Sequence, residues 1–163
     1  MEHRAARGSF DGWYRAEHPR VLGLLTVVAG DADIAREVTA EAFVRALERW
    51  DRVAAMESPA AWTYRVGMNL LRRRLRRAAF ERRLLPEERA PAPSPAIEPE
   101  LWDAVRALPV RQRTAVALRY VCDLSQEEIA AVMHVAPGTV SATLTAARRR
   151  LAAELRPLEV PVD

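Results

Sequence analysis

Five of the fourteen residues from 86 to 99 are proline (Pro86, Pro91, Pro93, Pro95 and Pro99), with alanine, serine and glutamate among the rest. Proline has no amide donor and steers the residue before it away from helical backbone, so this stretch cannot sit inside a helix or a sheet. It reads as a linker, and at ~3.1 Å per residue it would reach roughly 40 Å when extended. The chain of 163 residues is thereby divided into two small domains, residues 1–85 and 100–157, with a tail at 158–163. Both halves carry helical hydrophobic periodicity and neither carries a strand pattern of any length, so the expected fold class is all-α.

In the first half Phe10, Trp13 and Tyr14 recur at helical spacing, and Pro19 either begins a new turn or kinks one. The apolar run Val21–Val28 stops at Gly30, after which Asp31 or Asp33 can cap a helix running to about Trp50. Ile34, Val38, Ala42 and Ala46 form one row on that helix, and Phe43, Leu47 and Trp50 form a second. Ser58-Pro59 is a helix start, and the helix extends toward Leu85 through a cluster of seven arginines between Arg72 and Arg83.

In the second half Leu101, Trp102, Val105 and Leu108 mark a short helix, and Val110–Val121 a second. Ser125-Gln126-Glu127-Glu128 is a capping box, with Leu124 and Ile129 placed as its hydrophobic staple. That helix fails at His134-Val135-Ala136, and Pro137 opens another with Val140, Leu144, Ala147, Leu151 and Leu155 on its apolar side. A capped short helix, a three-residue turn and a longer amphipathic helix make a helix-turn-helix, with Ala130 small enough for a close crossing.

Net charge +3 conceals a pattern: residues 1–85 sum to +5, 86–104 to −4 and 105–163 to +2. Two basic segments flanking an acidic one suit a polyanion such as nucleic acid. A single cysteine, Cys122, excludes an internal disulfide and a cysteine-based zinc site, and three scattered histidines make no metal-ligand spacing. No nucleophile–base pair or phosphate loop is present, so no catalytic residue, cofactor or metal is expected. No apolar run approaches the ~18 residues of a membrane span, and no secretory signal pattern opens the chain, so a cytoplasmic protein without membrane insertion is expected.

The stretch Leu108–Leu151 (LPVRQRTAVALRYVCDLSQEEIAAVMHVAPGTVSATLTAARRRL) resembles region 4 of bacterial sigma factors. Ala35–Val53 (AREVTAEAFVRALERWDRV) resembles their polymerase-binding region 2 helix, and Glu57–Arg77 (ESPAAWTYRVGMNLLRRRLRR) the adjoining helix that opens and reads promoter DNA. With two domains and a short linker, the set is similar to the extracytoplasmic-function (ECF) group. The resemblance implies a dissociable sigma factor, with core RNA polymerase, duplex and melted promoter DNA, and an anti-sigma factor as partners. Its polymerase-binding residues would be Glu37, Glu41, Phe43, Arg45 and Ala46. Trp62, Tyr64, Arg65, Asn69, Arg72, Arg73 and Arg76 would handle the minus-ten element, supplying aromatics for unstacked bases and cations for phosphates. Thr139, Ser141, Thr143, Arg148 and Arg149, with Arg111 and Arg113 of the preceding helix, would meet the minus-thirty-five element.

The sequence departs from the family at several points. Ala40 replaces a frequent amide, Arg73 stands near a common acid, and His134 occupies a position commonly glycine. Ser141, Thr143 and Ala146 stand where basic residues are usual, and none of them can make the bidentate contact to guanine that arginine makes. Weak or unusual minus-thirty-five recognition is the expectation. Two other readings are a stand-alone helix-turn-helix regulator, which leaves the first domain unexplained, and a surface-binding amphipathic helix at Asn69–Leu85.

Overall fold

The computed structural model describes residues 2–84 and 98–155, with side chains from Phe10 onward. Among the described residues every regular element is helical: α1 (Glu2–Ala29), α2 (Ala32–Glu48), α3 (Trp50–Ala54), α4 (Pro59–Leu84), α5 (Pro99–Ala107), α6 (Val110–Tyr120), α7 (Gln126–Met133) and α8 (Pro137–Glu154). Most of the expected linker and all of the expected tail lie outside the described residues. Pro99, counted with the linker, is instead the first residue of α5, where its missing amide costs no helical hydrogen bond.

Helix α1 runs through Pro19 without a break. Pro19 is exposed, which leaves water available to the carbonyl its ring deprives of a donor. The helix stops at Gly30, which adopts φ +65° and donates its amide to Thr26 O at 2.9 Å, a glycine C-cap. Of the two candidate caps for α2, Asp31 takes the role, accepting from Asp33 N at 2.9 Å and Ile34 N at 3.0 Å. Helix α2 ends before Trp50: Arg49 leaves the helical region (φ −121°), and Trp50 starts the short α3. Phe10, Trp13, Phe43 and Trp50 then close into an aromatic cluster, with Phe10 and Trp50 edge-to-face at 5.1 Å. Leu47, expected in the same row as Phe43, is 50% exposed. Four residues advance a helix by ~400°, so Leu47 sits about 40° beyond Phe43, on the solvent side.

Ser58 Oγ accepts from Ala61 N at 3.1 Å and starts α4. The first half of α4 buries Thr63, Tyr64, Gly67, Met68, Leu70 and Leu71; the second half is largely exposed arginine. The buried side chains form one cluster extending from Phe10 to Ala147. Helix α1 is its hub: it packs on α2 and α4 and also on α5 and α6, while α4 packs on α7.

Candidate nucleic-acid and protein-docking faces

The capping box at α7 is formed in both directions: Glu128 N donates to Ser125 Oγ at 3.2 Å, and Ser125 N donates to Glu128 Oε2 at 2.8 Å. Ile129, Ala130 and Val140 are buried where α7 meets α8, and the two helices are inclined at 100°, the helix-turn-helix range. His134 makes the turn in the left-handed region, φ 56° and ψ 48°. Pro137 then begins α8; the Thr139 and Val140 amides bond Ala136 O at 2.9 and 3.3 Å, so its first turn leaves the Gly138 amide and the Thr139 side chain toward solvent.

The outward residues of α8 differ in what they can offer. Ser141, Arg148 and Arg149 are exposed. Thr143 is half-buried, and its hydroxyl donates to Thr139 O at 2.7 Å. Arg148 Nε donates to the exposed Tyr120 hydroxyl at 3.1 Å, which orients one of the few cations on this face. Tyr120 was absent from the sequence-based set. Arg111 is exposed on α6. Arg113 is not placed for DNA: its guanidinium lies over Gly30, just past the end of α1, and its Nε is buried. Burial, and the neighbouring Arg106 charge, push its pKa below the ordinary arginine value.

On α4, Trp62, Arg65, Asn69, Arg72, Arg73 and Arg76 fall within one arc of roughly 100° when laid out at 100° per residue. Asn69, Arg72, Arg73 and Arg76 are exposed, and Trp62 and Arg65 are half-buried. Arg72 donates to Asn69 Oδ1 at 3.3 Å. Tyr64 lies off this arc and is 1% exposed. Its hydroxyl donates to Glu17 Oε2 at 2.9 Å. Burial foremost, then the neighbouring Cys122 and Glu17, push its pKa far above the usual tyrosine value. Tyr64 therefore corrects the sequence-based expectation: in this arrangement no base can reach it. The same arc continues to Phe80, 63% exposed, and to exposed Arg83, both absent from the sequence-based set. Extending the helical arithmetic past Arg76 finds them.

Helix α2 corrects two more expectations. Phe43 and Ala46 are 3% and 0% exposed, so neither can meet a partner. Phe43 is held in the aromatic cluster and Ala46 in the core. Glu37, Glu41 and the half-buried Arg45 do reach the surface. Glu41 and Arg45 pair at 2.6 Å, and Glu37 meets Arg74 of α4 at 3.4 Å. Beside the acids, on one side of them around the helix, runs an outward row of Ala40, Val44 and Leu47, with Val44 53% exposed. An apolar row edged by carboxylates has the composition of a protein-docking face. Val44 and Leu47 were missed because apolar residues at helical spacing read first as core.

The Sigma-70 region 2 family matches residues 5–81, and the Sigma-70, region 4 family matches residues 99–151. The RNA polymerase sigma-E factor of Streptomyces avermitilis is 30% identical, the alignment covering 90% of this chain and 84% of that protein. The uncharacterized protein R00370 of Rhizobium meliloti is 33% identical over 88% of this chain, which spans only 38% of that longer protein. Among solved structures, the sigma factor RpoE in complex with the anti-sigma factor NepR from Bartonella quintana superposes with a TM-score of 0.78 at 21% identity, covering 90% of this chain and 96% of that one. At that identity the likeness speaks for the fold.

Proposed function

The chain belongs to the sigma-70 family of RNA polymerase sigma factors, in its extracytoplasmic-function group, and on that premise we propose that it binds core RNA polymerase and directs initiation at specific promoters. The observation that carries this reading is the presence, in one chain, of a cation-and-aromatic stripe on α4 and a helix-turn-helix at α7–α8. A stand-alone helix-turn-helix regulator has no use for the first of these.

Polymerase docks on the outward face of α2, with Val44 and Leu47 supplying apolar area and Glu37, Glu41 and Arg45 supplying polar register. The α4 stripe receives the minus-ten element. Melted bases stack on Trp62 and Phe80, worth ~1–3 kcal/mol each. Asn69 hydrogen-bonds a base edge, and Arg65, Arg72, Arg73 and Arg76 neutralise phosphates. The start of α8, through the Gly138 amide, the Thr139 hydroxyl and the positive end of the helix dipole, holds a phosphate of the minus-thirty-five duplex. Ser141 and Thr143 face its groove, and Arg148, Arg149 and Arg111 add charge. With no arginine in the first two turns of α8, this contact positions the DNA more than it reads it.

Residues 1–85 and 100–157 act as two units joined by the proline-rich segment, and tethering raises the effective concentration of each at its element. The chain itself performs no bond chemistry; phosphodiester formation belongs to the polymerase. It acts in the cytoplasm, and an anti-sigma factor is a fitting regulator. Transcription from a pool of genomic promoter fragments by purified core polymerase tests the whole reading. New start sites that depend on the chain support it, and a core polymerase that neither binds the chain nor gains starts overturns it.

A further inference from the structure

We infer that Tyr120 and Arg148 together form a clamp for one phosphate of the DNA backbone, with Tyr120 both holding the arginine in place and bonding the phosphate itself. That the phosphate belongs to a promoter rests on the sigma-factor reading; the clamp itself does not.

Tyr120 is the last residue of α6, and Arg148 lies past the middle of α8. The two helices pack against each other, and Arg119 steadies the end of α6 by donating to Leu124 O at 2.8 Å. The 3.1 Å bond from Arg148 Nε to the Tyr120 hydroxyl uses one of the five N–H donors of the guanidinium and leaves its two terminal NH2 groups free. It occupies a lone pair of the phenol, so the Tyr120 O–H still has its own proton to donate. Tyr120 is 62% exposed and Arg148 is exposed, so these donors stand side by side at the surface. One non-bridging oxygen of a phosphate takes the terminal NH2 groups, and the other takes the phenol.

Charge makes the ligand an anion. Arg20, Arg36, Arg45, Arg74 and Arg77 each pair with a carboxylate, which offsets their charge locally. Arg148 is held instead by a neutral group, and among the described residues no carboxylate pairs with it. Its whole charge is left for a partner, and a charge-assisted bond to phosphate is of the strong kind. Placement makes the anion a DNA phosphate. At 100° per residue, Ser141, Thr145 and Arg148 fall within an exposed arc of about 60° on α8. From Gly138, with its free amide, to Arg148 the helix axis spans about 15 Å, while the major groove is about 12 Å wide. The start of α8 and the clamp therefore reach phosphates on the two walls of one groove, with Ser141 and Thr145 between them. An arginine gives up rotamer freedom when it binds, and Tyr120 has already taken that freedom from Arg148.

The test uses polymerase carrying the full chain and a promoter recovered from the genomic pool. Neutral methylphosphonates replace the backbone phosphates of the minus-thirty-five element one at a time. Promoter affinity is measured at several salt concentrations for wild type, Tyr120→Phe and Arg148→Ala. Wild type is expected to lose about tenfold at one phosphate position, a loss that Arg148→Ala abolishes and Tyr120→Phe reduces. On unmodified DNA Tyr120→Phe is expected to bind about three- to tenfold more weakly at an unchanged salt slope, since it removes no charge. Arg148→Ala is expected to reduce the slope by about 1. Tyr120→Phe binding as wild type overturns the clamp, as does weaker binding with an unaltered methylphosphonate pattern. So does a Tyr120→Phe chain that loses grip on core polymerase and not on the promoter, which places a protein on this face. If no start depends on the chain, the sigma-factor reading fails, and the clamp is decided with the free chain on random-sequence duplex DNA. There, weaker binding by Tyr120→Phe at an unchanged salt slope supports it, and equal or absent binding overturns it.

Discussion

Tyr64 of α4 donates a 2.9 Å hydrogen bond to Glu17 Oε2 of α1, and the same carboxylate lies 3.6 Å from Arg20 through its other oxygen. This bond joins α4, the helix proposed to face DNA, to the hub of the core. It makes Tyr64 a structural residue, although its neighbours in sequence belong to the stripe proposed to bind nucleic acid.

Tyr64→Phe removes the bond and leaves Glu17 partly desolvated. Stability is expected to fall by about 2 kcal/mol, as for a hydrogen bond to a charged group, read from the urea unfolding midpoint. Open-complex formation by the polymerase bound to this chain is expected to change far less than with Asn69→Ala. The reverse order would return Tyr64 to the DNA.

Burial pushes the Cys122 thiol up to about 12. The unfolded thiol ionises near its ordinary value, while the folded one keeps its proton, so above about pH 9 the unfolded state binds fewer protons and stability falls as pH rises. The fall approaches about 1.4 kcal/mol per pH unit from this one group. Urea titrations from pH 8 to 11 are expected to show a shallower decline in Cys122→Ala than in wild type. Parallel declines would mean that the thiol is not buried in solution.

Leu47→Glu is expected to weaken core polymerase binding at least tenfold with stability within about 0.5 kcal/mol of wild type, as for a surface change. Phe43→Ala should do the opposite, costing about 3–5 kcal/mol of stability. Binding to fluorescently labelled core and urea unfolding separate the two. A Leu47→Glu chain that binds normally removes this face from the docking surface.

Phe80→Ala is expected to lower affinity of the polymerase-bound chain for melted promoter DNA by ~1–3 kcal/mol without changing the salt slope. Arg76→Ala should reduce that slope by about 1. Phe80→Trp should restore affinity. If alanine at position 80 leaves binding unaltered, the stripe ends at Arg76.

His134 holds φ 56°, where a β-carbon costs energy that glycine avoids. His134→Gly is expected to stabilise the chain by about 0.5 kcal/mol after the larger entropy loss of glycine is subtracted, a rise in Tm of about 1–2 °C. A lower Tm would show that the imidazole is used.

Much of the architecture was legible because its causes are local. Ser125 and Glu128 satisfy each other's amides across three residues, Asp31 and Ser58 cap from one turn away, and Gly30 ends α1 by its own backbone freedom. The arc from Trp62 to Arg76 follows from helical spacing alone, and the same spacing applied to Tyr64, which the sequence reading kept in the set, removes it. Leu47 and Val44 were not legible in this way. An apolar residue at helical spacing looks the same whether a neighbour covers it or a partner awaits it.

The sequence by itself determined the helices, their caps, the helix-turn-helix and the surface stripe of α4, because hydrogen bonds and side-chain periodicity within one or two turns settle them. The tertiary structure alone decided that Arg113 faces Gly30 rather than DNA, that Tyr64 binds Glu17, and that Gly23 admits Val121. Those outcomes depend on which faces of α1, α4 and α6 meet. That choice is made by close packing between segments far apart in the chain, and no local pattern encodes it.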